Sequence, residues 1–227
     1  MWVWVCGQGQ RQTVEVRHFL GVQLLTSDLS LDKHVNVVSA KCFFQLRQLR
    51  RIRRSLDDDS VATLVHAFVA SRVDYCGSLL IGAPRKKTDK LQRVLNSAAR
   101  IVSNTRKFDR GLTHFRRSQL HWLDVVDRVR FRVCVQVFRC LHKMAPEYLS
   151  TYILPTRLRH LSGRRHLRSA ESGHLDFPRA RLASYGGRSF AYAGPSNWNS
   201  VPAYLRDSSL SLSSVTPQNL SLLFLLG

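Results

Sequence analysis

Carboxylates are scarce in this chain: 15 Asp and Glu stand against 35 Lys and Arg in 227 residues, a formal charge of +20. An enzyme built on clustered acids, such as a nuclease, has little to work with. The surplus positive charge repels itself unless polyanions neutralise it. Nucleic acid is the first partner this balance indicates, although a secreted or ribosome-like basic protein shares it. Cysteine is sparse too. Cys6, Cys42, Cys76, Cys134 and Cys140 include no C-x-x-C pair, and therefore no zinc-knuckle or redox spacing. This odd set reads as buried thiols in a reducing compartment. Cys140 and His142 stand close together, but with Cys134 upstream the spacing is unusual for ligands, and core packing is the simpler reading.

Long apolar runs are missing as well. No segment reaches the ~18 to 20 residues that span a bilayer. The opening Met1-Trp-Val-Trp-Val-Cys6 has no basic leader, and Leu220-Ser-Leu-Leu-Phe-Leu-Leu226 is too short to anchor. The expectation is an intracellular protein, nuclear or cytoplasmic, without a membrane partner. No Gly-rich phosphate loop is found, since Tyr185-Gly-Gly-Arg188 lacks the lysine and the strand-to-helix context. No Gly-x-Ser-x-Gly elbow marks a nucleophile. We expect no catalytic residue, no metal and no cofactor.

What is present is 44% hydrophobic residues set at helical intervals. Between Leu31 and Arg54 they fall at Val35, Val38, Cys42, Leu46, Leu49 and Ile52, one face of a helix. Arg47, Arg50, Arg51, Arg53 and Arg54 crowd its last turns, and such a face suits phosphate contact. Asp57-Asp-Asp59 follows. It lacks a strand hairpin and a preceding aromatic, so it reads as a helix cap in preference to a metal site. A second series runs through Val61, Leu64, Val65, Phe68, Val69, Cys76 and Leu79 and is closed by Gly82 and Pro84.

A third series, Leu91, Val94, Leu95, Ala98, Ile101 and Val102, carries Lys86, Lys87, Lys90, Arg93 and Arg100 on its polar side. It is a second cationic helix. Residues 103–118 read as a polar, basic connection broken at Gly111. The next amphipathic stretch passes through Leu120, Val125, Val126, Val129, Val133, Val137 and Leu141 and ends at Pro146. His121-Trp122 is able to stack on a base, but its amphipathic setting favours core packing for Trp122, as for Trp198. Toward the C-terminus, Arg181-Leu-Ala-Ser-Tyr185 and Ser189-Phe-Ala-Tyr192 read as short strands, with a turn at Gly194-Pro195. The predicted class is mainly α, a helical bundle with an irregular, short-stranded C-terminal region.

Several strings occur in the order seen in one family. They are His18-Phe-Leu-Gly-Val22, Asp28-Leu-Ser-Leu-Asp-Lys-His34, Leu64-Val-His-Ala-Phe68, Ser71-Arg-Val-Asp-Tyr-Cys76, Leu91-Gln-Arg-Val94 with Ala98-Ala-Arg100, Leu120-His-Trp-Leu123 and Trp198-Asn-Ser-Val-Pro202. Together they resemble the C-terminal part of the reverse transcriptases of LINE-type (non-LTR, jockey-like) retrotransposons. The resemblance covers roughly residues 18–213. It implies a remnant of the post-palm hairpin at 18–30, a helical thumb-like domain at 31–145, a basic linker at 146–176 and a small C-terminal region at 177–213. Residues 1–17 and 214–227 form an unrelated leader and a divergent tail.

Asp124 stands where the family has proline, which leaves the start of that helix less sharply defined. The family's catalytic aspartates lie in a palm hairpin upstream of this stretch, so the resemblance implies a fragment of an RNA-directed DNA polymerase without its active site. Its thumb would grip RNA or DNA, including an RNA/DNA hybrid, by the phosphates. The binding residues expected are Arg47, Arg50, Arg51, Arg53, Arg54, Lys86, Lys87, Lys90 and Arg93. A helical protein-interaction module, prone to self-association, and a functionless product of a decayed mobile element are the alternatives.

Overall fold

The computed structural model describes residues 18–19, 22–23, 31–155, 174–176, 178 and 186–206. They are mainly helical. A two-residue hairpin comes first: β1 (His18–Phe19) pairs antiparallel with β2 (Val22–Gln23). Then follow α1 (Asp32–Ile52), α2 (Asp58–Val65), a π turn over His66–Ala70, and α3 (Ser71–Asp74). After these come α4 (Arg85–Val102), α5 (Leu112–Ser118), α6 (Val125–Leu141) and the single turn α7 (Glu147–Ser150). A second two-residue pair, β3 (Leu154–Pro155) with β4 (Leu175–Asp176), precedes α8 (Phe190–Asn199).

The α1 face is buried as its spacing requires at Val35, Cys42, Leu46 and Leu49, but Ile52, expected on that face, is exposed. The helix ends there, and Arg53 turns inward instead. The second series departs further. Val61, Val65, Val69 and Val73 are buried in steps of four, whereas Phe68 is exposed. At 3.6 residues per turn a step of four drifts about 40° around an α-helix. The wider π turn at His66–Ala70 absorbs part of that drift and holds the four valines on one side. The helix does not reach Leu79. Tyr75 is extended, Cys76 has φ 53°, and a 3-10 turn spans Gly77–Leu80. Gly82, at φ 64°, makes the turn, and Pro84 stands at the N-cap of α4.

Three further expectations are corrected. The connection 103–118 contains α5, with Gly111 at φ 86° as its N-cap. The stretch from Leu120 is not yet helical, because His121 has φ 51° and α6 begins only at Val125. Nor does Pro146 end α6. The helix stops at Leu141, and Pro146 is the N-cap of α7.

The core has two parts. In the first, α1, α2, α3 and α4 close over Val35, Leu46, Val65, Val94, Leu95 and Ala98, together with Val125 and Val129 from the first turns of α6. In the second, the rest of α6 supplies Cys134, Val137, Phe138 and Cys140, against Ile153, Leu175, Trp198 and Val201. The stretch 146–176, expected as a linker, therefore sends Ile153 and Leu175 into this core; residues 156–173 lie outside the described residues.

Ser189-Phe-Ala-Tyr192 is not a strand. Ser189 is the N-cap of α8, and Gly194-Pro195 is buried inside that helix, not a turn. Close packing overrides the local signals here: a Cβ on Gly194 would stand 3.2 Å from Val137 Cγ2 and 3.3 Å from the Phe190 ring. Arg181–Tyr185, the other expected strand, lies outside the described residues. Asn199 anchors the region, its Oδ1 accepting from Leu175 N and its Nδ2 donating to Leu175 O, each at 2.8 Å.

Trp198 is 4% exposed, and its ring lies 6.5 Å from that of Phe138. Trp198→Ala should cost ~3–5 kcal/mol in denaturant unfolding. The same truncation at exposed Val126 should be close to neutral. Equal effects at the two positions would contradict the second core.

Candidate nucleic-acid interface

The two expected cationic clusters lie on α1 and α4, and the direction in which these helices pack fixes their relation. Lys87 Nζ lies 3.2 Å from Asp32 Oδ2. Lys90 Nζ donates to Asn36 Oδ1 at 2.5 Å. At the other end, Arg53 Nε donates to Ile101 O at 2.9 Å and Arg53 Nη2 to Val102 O at 3.2 Å. Contacts in the order 32 to 87, 36 to 90 and 53 to 101 mean that the helices run parallel. The lysines therefore sit at one end of the pair and the arginines at the other. From Lys87 to Ile101 the helix rises about 21 Å. There is no single cationic face; there are two poles.

The side chains at these poles divide into committed and available. Arg53 is committed: besides the two α4 carbonyls it holds Leu56 O at 3.1 Å and pairs with Asp58. It is a tie between helix ends. Lys87 and Lys90 are half-buried against α1 through Asp32 and Asn36. Arg47 and Arg93 are exposed and make only a long contact, 3.4 Å, with a carbonyl of their own helix. Arg50, Arg51, Arg54 and Lys86 are exposed and make no hydrogen bond or ion pair among the described residues. The acidic run divides likewise. Asp57 caps α2 by accepting from Ser60 N at 3.0 Å, which holds its carboxyl below the usual range, and Asp58 faces Arg53.

The arginine pole has members that the helical pattern did not reveal. Because α4 ends there, the loop that follows it belongs to the same end. Arg106, Lys107 and Arg110 are exposed on it. Between them Phe108 is 86% exposed, with Lys107 Nζ 5.4 Å from its ring centroid. Asp109 Oδ2 accepts from Arg106 N at 2.6 Å and closes the loop on itself. The available signal was an aromatic residue interleaved with basic ones in a stretch without period. Trp122 and Trp198 behave as expected, the first packing against the main core and the second buried.

Beyond the poles, an ionic layer holds α5 and α3 to α6. Asp124, at the N-cap position of α6, pairs with Arg116 and, at 2.6 Å, with Arg117. Val125 N donates to Gln92 Oε1 at 2.9 Å. Asp124 thus makes no side-chain cap hydrogen bond to α6; its carboxylate serves the two arginines, and Gln92 takes the first helical N–H. Asp74 accepts from Arg128 at 2.8 Å and lies 3.4 Å from Arg132. The indentation beside it, lined by Val73, Gly77, Leu80 and Val129, has room for about one water.

Cys42, Cys134 and Cys140 are buried and Cys76 is half-buried. Burial pushes the Cys42 thiol up to about 11 and that of Cys134 to about 12. His142 stacks on Phe138 at 4.0 Å. Among the described residues no three His, Cys, Asp or Glu side chains gather as a metal site would need, and no helix is long and apolar enough to cross a membrane. Comparison with protein-family models, with curated proteins and with solved structures finds no match.

Two outcomes follow from the committed ion pairs. Arg53→Ala should lower stability by ~1.5–3 kcal/mol, the range for hydrogen bonds to a charged group, while Arg50→Ala and Arg54→Ala leave it within ~0.5 kcal/mol. Thermal or denaturant unfolding separates the two groups.

At Asp124 burial works to raise the pKa, but the Arg117 hydrogen bond and the Arg116 charge prevail and hold it below the usual value. A depressed carboxylate contributes stability that is present above the unfolded pKa of about 3.9 and lost as pH falls through the folded value. Asp124→Asn should therefore cost about 3 kcal/mol at neutral pH, because Arg116 is only 3% exposed. The difference from the unsubstituted protein should shrink steadily in acid. A penalty independent of pH would show that the pair is not ionic.

Proposed function

We propose that this chain is a non-catalytic nucleic-acid-binding segment related to LINE-type reverse transcriptases, holding RNA, DNA or their hybrid by the phosphates. The observation that carries the reading is the pair of cationic poles on one rigid helix pair. Phosphates along one strand recur about every 3.4 Å of duplex axis, so the two ends of α4, about 21 Å apart from Lys87 to Ile101, stand some six phosphates from each other. Arg47, Arg50, Arg51 and Arg54 make the first contact and Lys86 the second, with Lys90 reinforcing it and Arg93 about midway along α4. Phosphate contacts fix position on the strand and carry no sequence information directly, so binding through them is blind to sequence. The ordered strings of residues 18–213 support the family relation, and the setting proposed with it is intracellular.

A second reading, a helical module that binds protein, draws on Met144, Tyr148 and Tyr152. All three are exposed, at intervals of four beside the second core. Salt separates the two readings. Anisotropy titrations with a labelled RNA/DNA hybrid should show log affinity falling linearly with log salt, with a slope near −0.9 per phosphate contact. The combined Arg47→Ala, Arg50→Ala, Arg51→Ala and Arg54→Ala variant should flatten that slope by about three to four. No binding of the hybrid at low salt, together with self-association that ignores salt, would favour the protein-binding module. No primer extension is expected with Mg²⁺ and nucleotides.

A further inference from the structure

The loop between α4 and α5 joins groups that phosphate binding alone does not use. Among them is the large, exposed apolar ring of Phe108, which no core cluster claims. Exposing a phenyl ring to this extent is unfavourable in water unless something covers it. Three cations within two residues of it, Arg106, Lys107 and Arg110, make an apolar protein surface a poor cover. The loop is also well held. Asn104 adopts φ 52°, Thr105 N donates to Arg100 O at 3.1 Å, and Asp109 closes the turn on Arg106 from both its carboxylate and its backbone N–H. The ring is therefore displayed at a fixed place.

That place is the arginine pole. Arg53, by gripping the carbonyls of Ile101 and Val102, brings the last turn of α1 to the root of this loop. A strand whose phosphates lie along Arg50, Arg51 and Arg54 can continue toward Arg106 and Arg110 and pass the ring.

We propose that Phe108 is a base-stacking platform and that the arginine pole binds single-stranded nucleic acid, one unpaired base lying on the ring while Arg106, Lys107 and Arg110 hold the adjoining phosphates. This rests on the phosphate-binding reading and adds to it the class of strand that this pole prefers. Lys107 lies over the ring and steadies it, and cation and base take opposite faces. In a duplex the bases are stacked on one another and present no free face, so the ring distinguishes single strands from double. Stacking is indifferent to base identity because every base has a π-face.

The test compares three labelled probes of equal length: a thymidine oligonucleotide, the same backbone without bases, and a duplex. Phe108→Ala should weaken binding of the base-bearing strand about tenfold, within the range for loss of one stacked base. It should leave the abasic strand and the duplex unchanged and keep the salt slope. Phe108→Trp should restore or strengthen binding of the base-bearing strand. A uridine oligonucleotide in parallel shows whether RNA and DNA strands behave alike, as a sequence-blind platform requires.

Equal affinities of Phe108→Ala and the unsubstituted protein for the base-bearing strand would overturn the stacking inference and leave phosphate binding standing. Equal weakening for strands with and without bases would overturn it too, since a ring that only shapes the loop gives that result. Failure of the unsubstituted protein to bind any probe at low salt would remove both readings together.

Discussion

Carboxylates are the limiting component of this fold, and their placement decides which cations remain outside. Asp58, Asp32, Asp124 and Asp74 each stand beside a cation that the fold has withdrawn from water: Arg53, Lys87, Arg116 and Arg128. A buried guanidinium without a counter-charge is among the costlier defects a small protein can carry. With few acids available, those that pair do so at helix junctions, where a cation must cross from one element to the next. Among the described residues, Arg47, Arg50, Arg51, Arg54, Lys86 and Arg93 are left without an ion pair. The same scarcity that makes the chain so basic overall therefore concentrates its unbalanced charge on exposed helix ends.

The ion pairs also explain what the family-like strings do in this molecule. Asp74, within Ser71-Arg-Val-Asp-Tyr-Cys76, receives Arg128 and so ties α3 to α6. Asp124, directly after Leu120-His-Trp-Leu123, draws Arg116 and Arg117 of α5 to the start of α6. Asn199, within Trp198-Asn-Ser-Val-Pro202, fixes Leu175 across 24 residues of sequence. At these three places a polar residue within or directly after the string fastens one element to another. α6 belongs to both cores, its first turns to one and the rest of it to the other.

Much of the helical fold was legible in the sequence, because α1, α4 and α6 are amphipathic helices whose buried residues recur every three or four positions. The acid cap at Asp57 was legible for the same local reason. What the sequence did not reveal depends on neighbours distant along the chain. The π turn is a response of four valines to a shared partner surface. The helical Phe190–Asn199 defies its own Gly194-Pro195 because Val137 and Ile153 crowd Gly194. The division of the cations between two helices was legible, yet the relation of those helices was not. Parallel packing separates Lys86 and Arg93 from Arg47–Arg54 along the bundle, and only the three-dimensional contacts of Arg53 distinguish a structural arginine from its exposed neighbours. Phe108 has no periodic companion, only basic neighbours in sequence, and its exposure appears once the loop has a shape.

Parallel packing of α1 and α4 has an electrostatic consequence for the two poles. Peptide dipoles align along each helix and leave partial positive charge at its N-terminus and partial negative charge at its C-terminus. In antiparallel neighbours these end charges cancel; here they add. The lysine pole receives two positive helix ends on top of its side chains, and the arginine pole sets its guanidinium groups against two negative ends. The poles therefore differ in character even where their side-chain charges are equal. At one, backbone and side chains attract an anion together; at the other, the arginines must extend beyond the field of the carbonyls, into the reach of a passing strand.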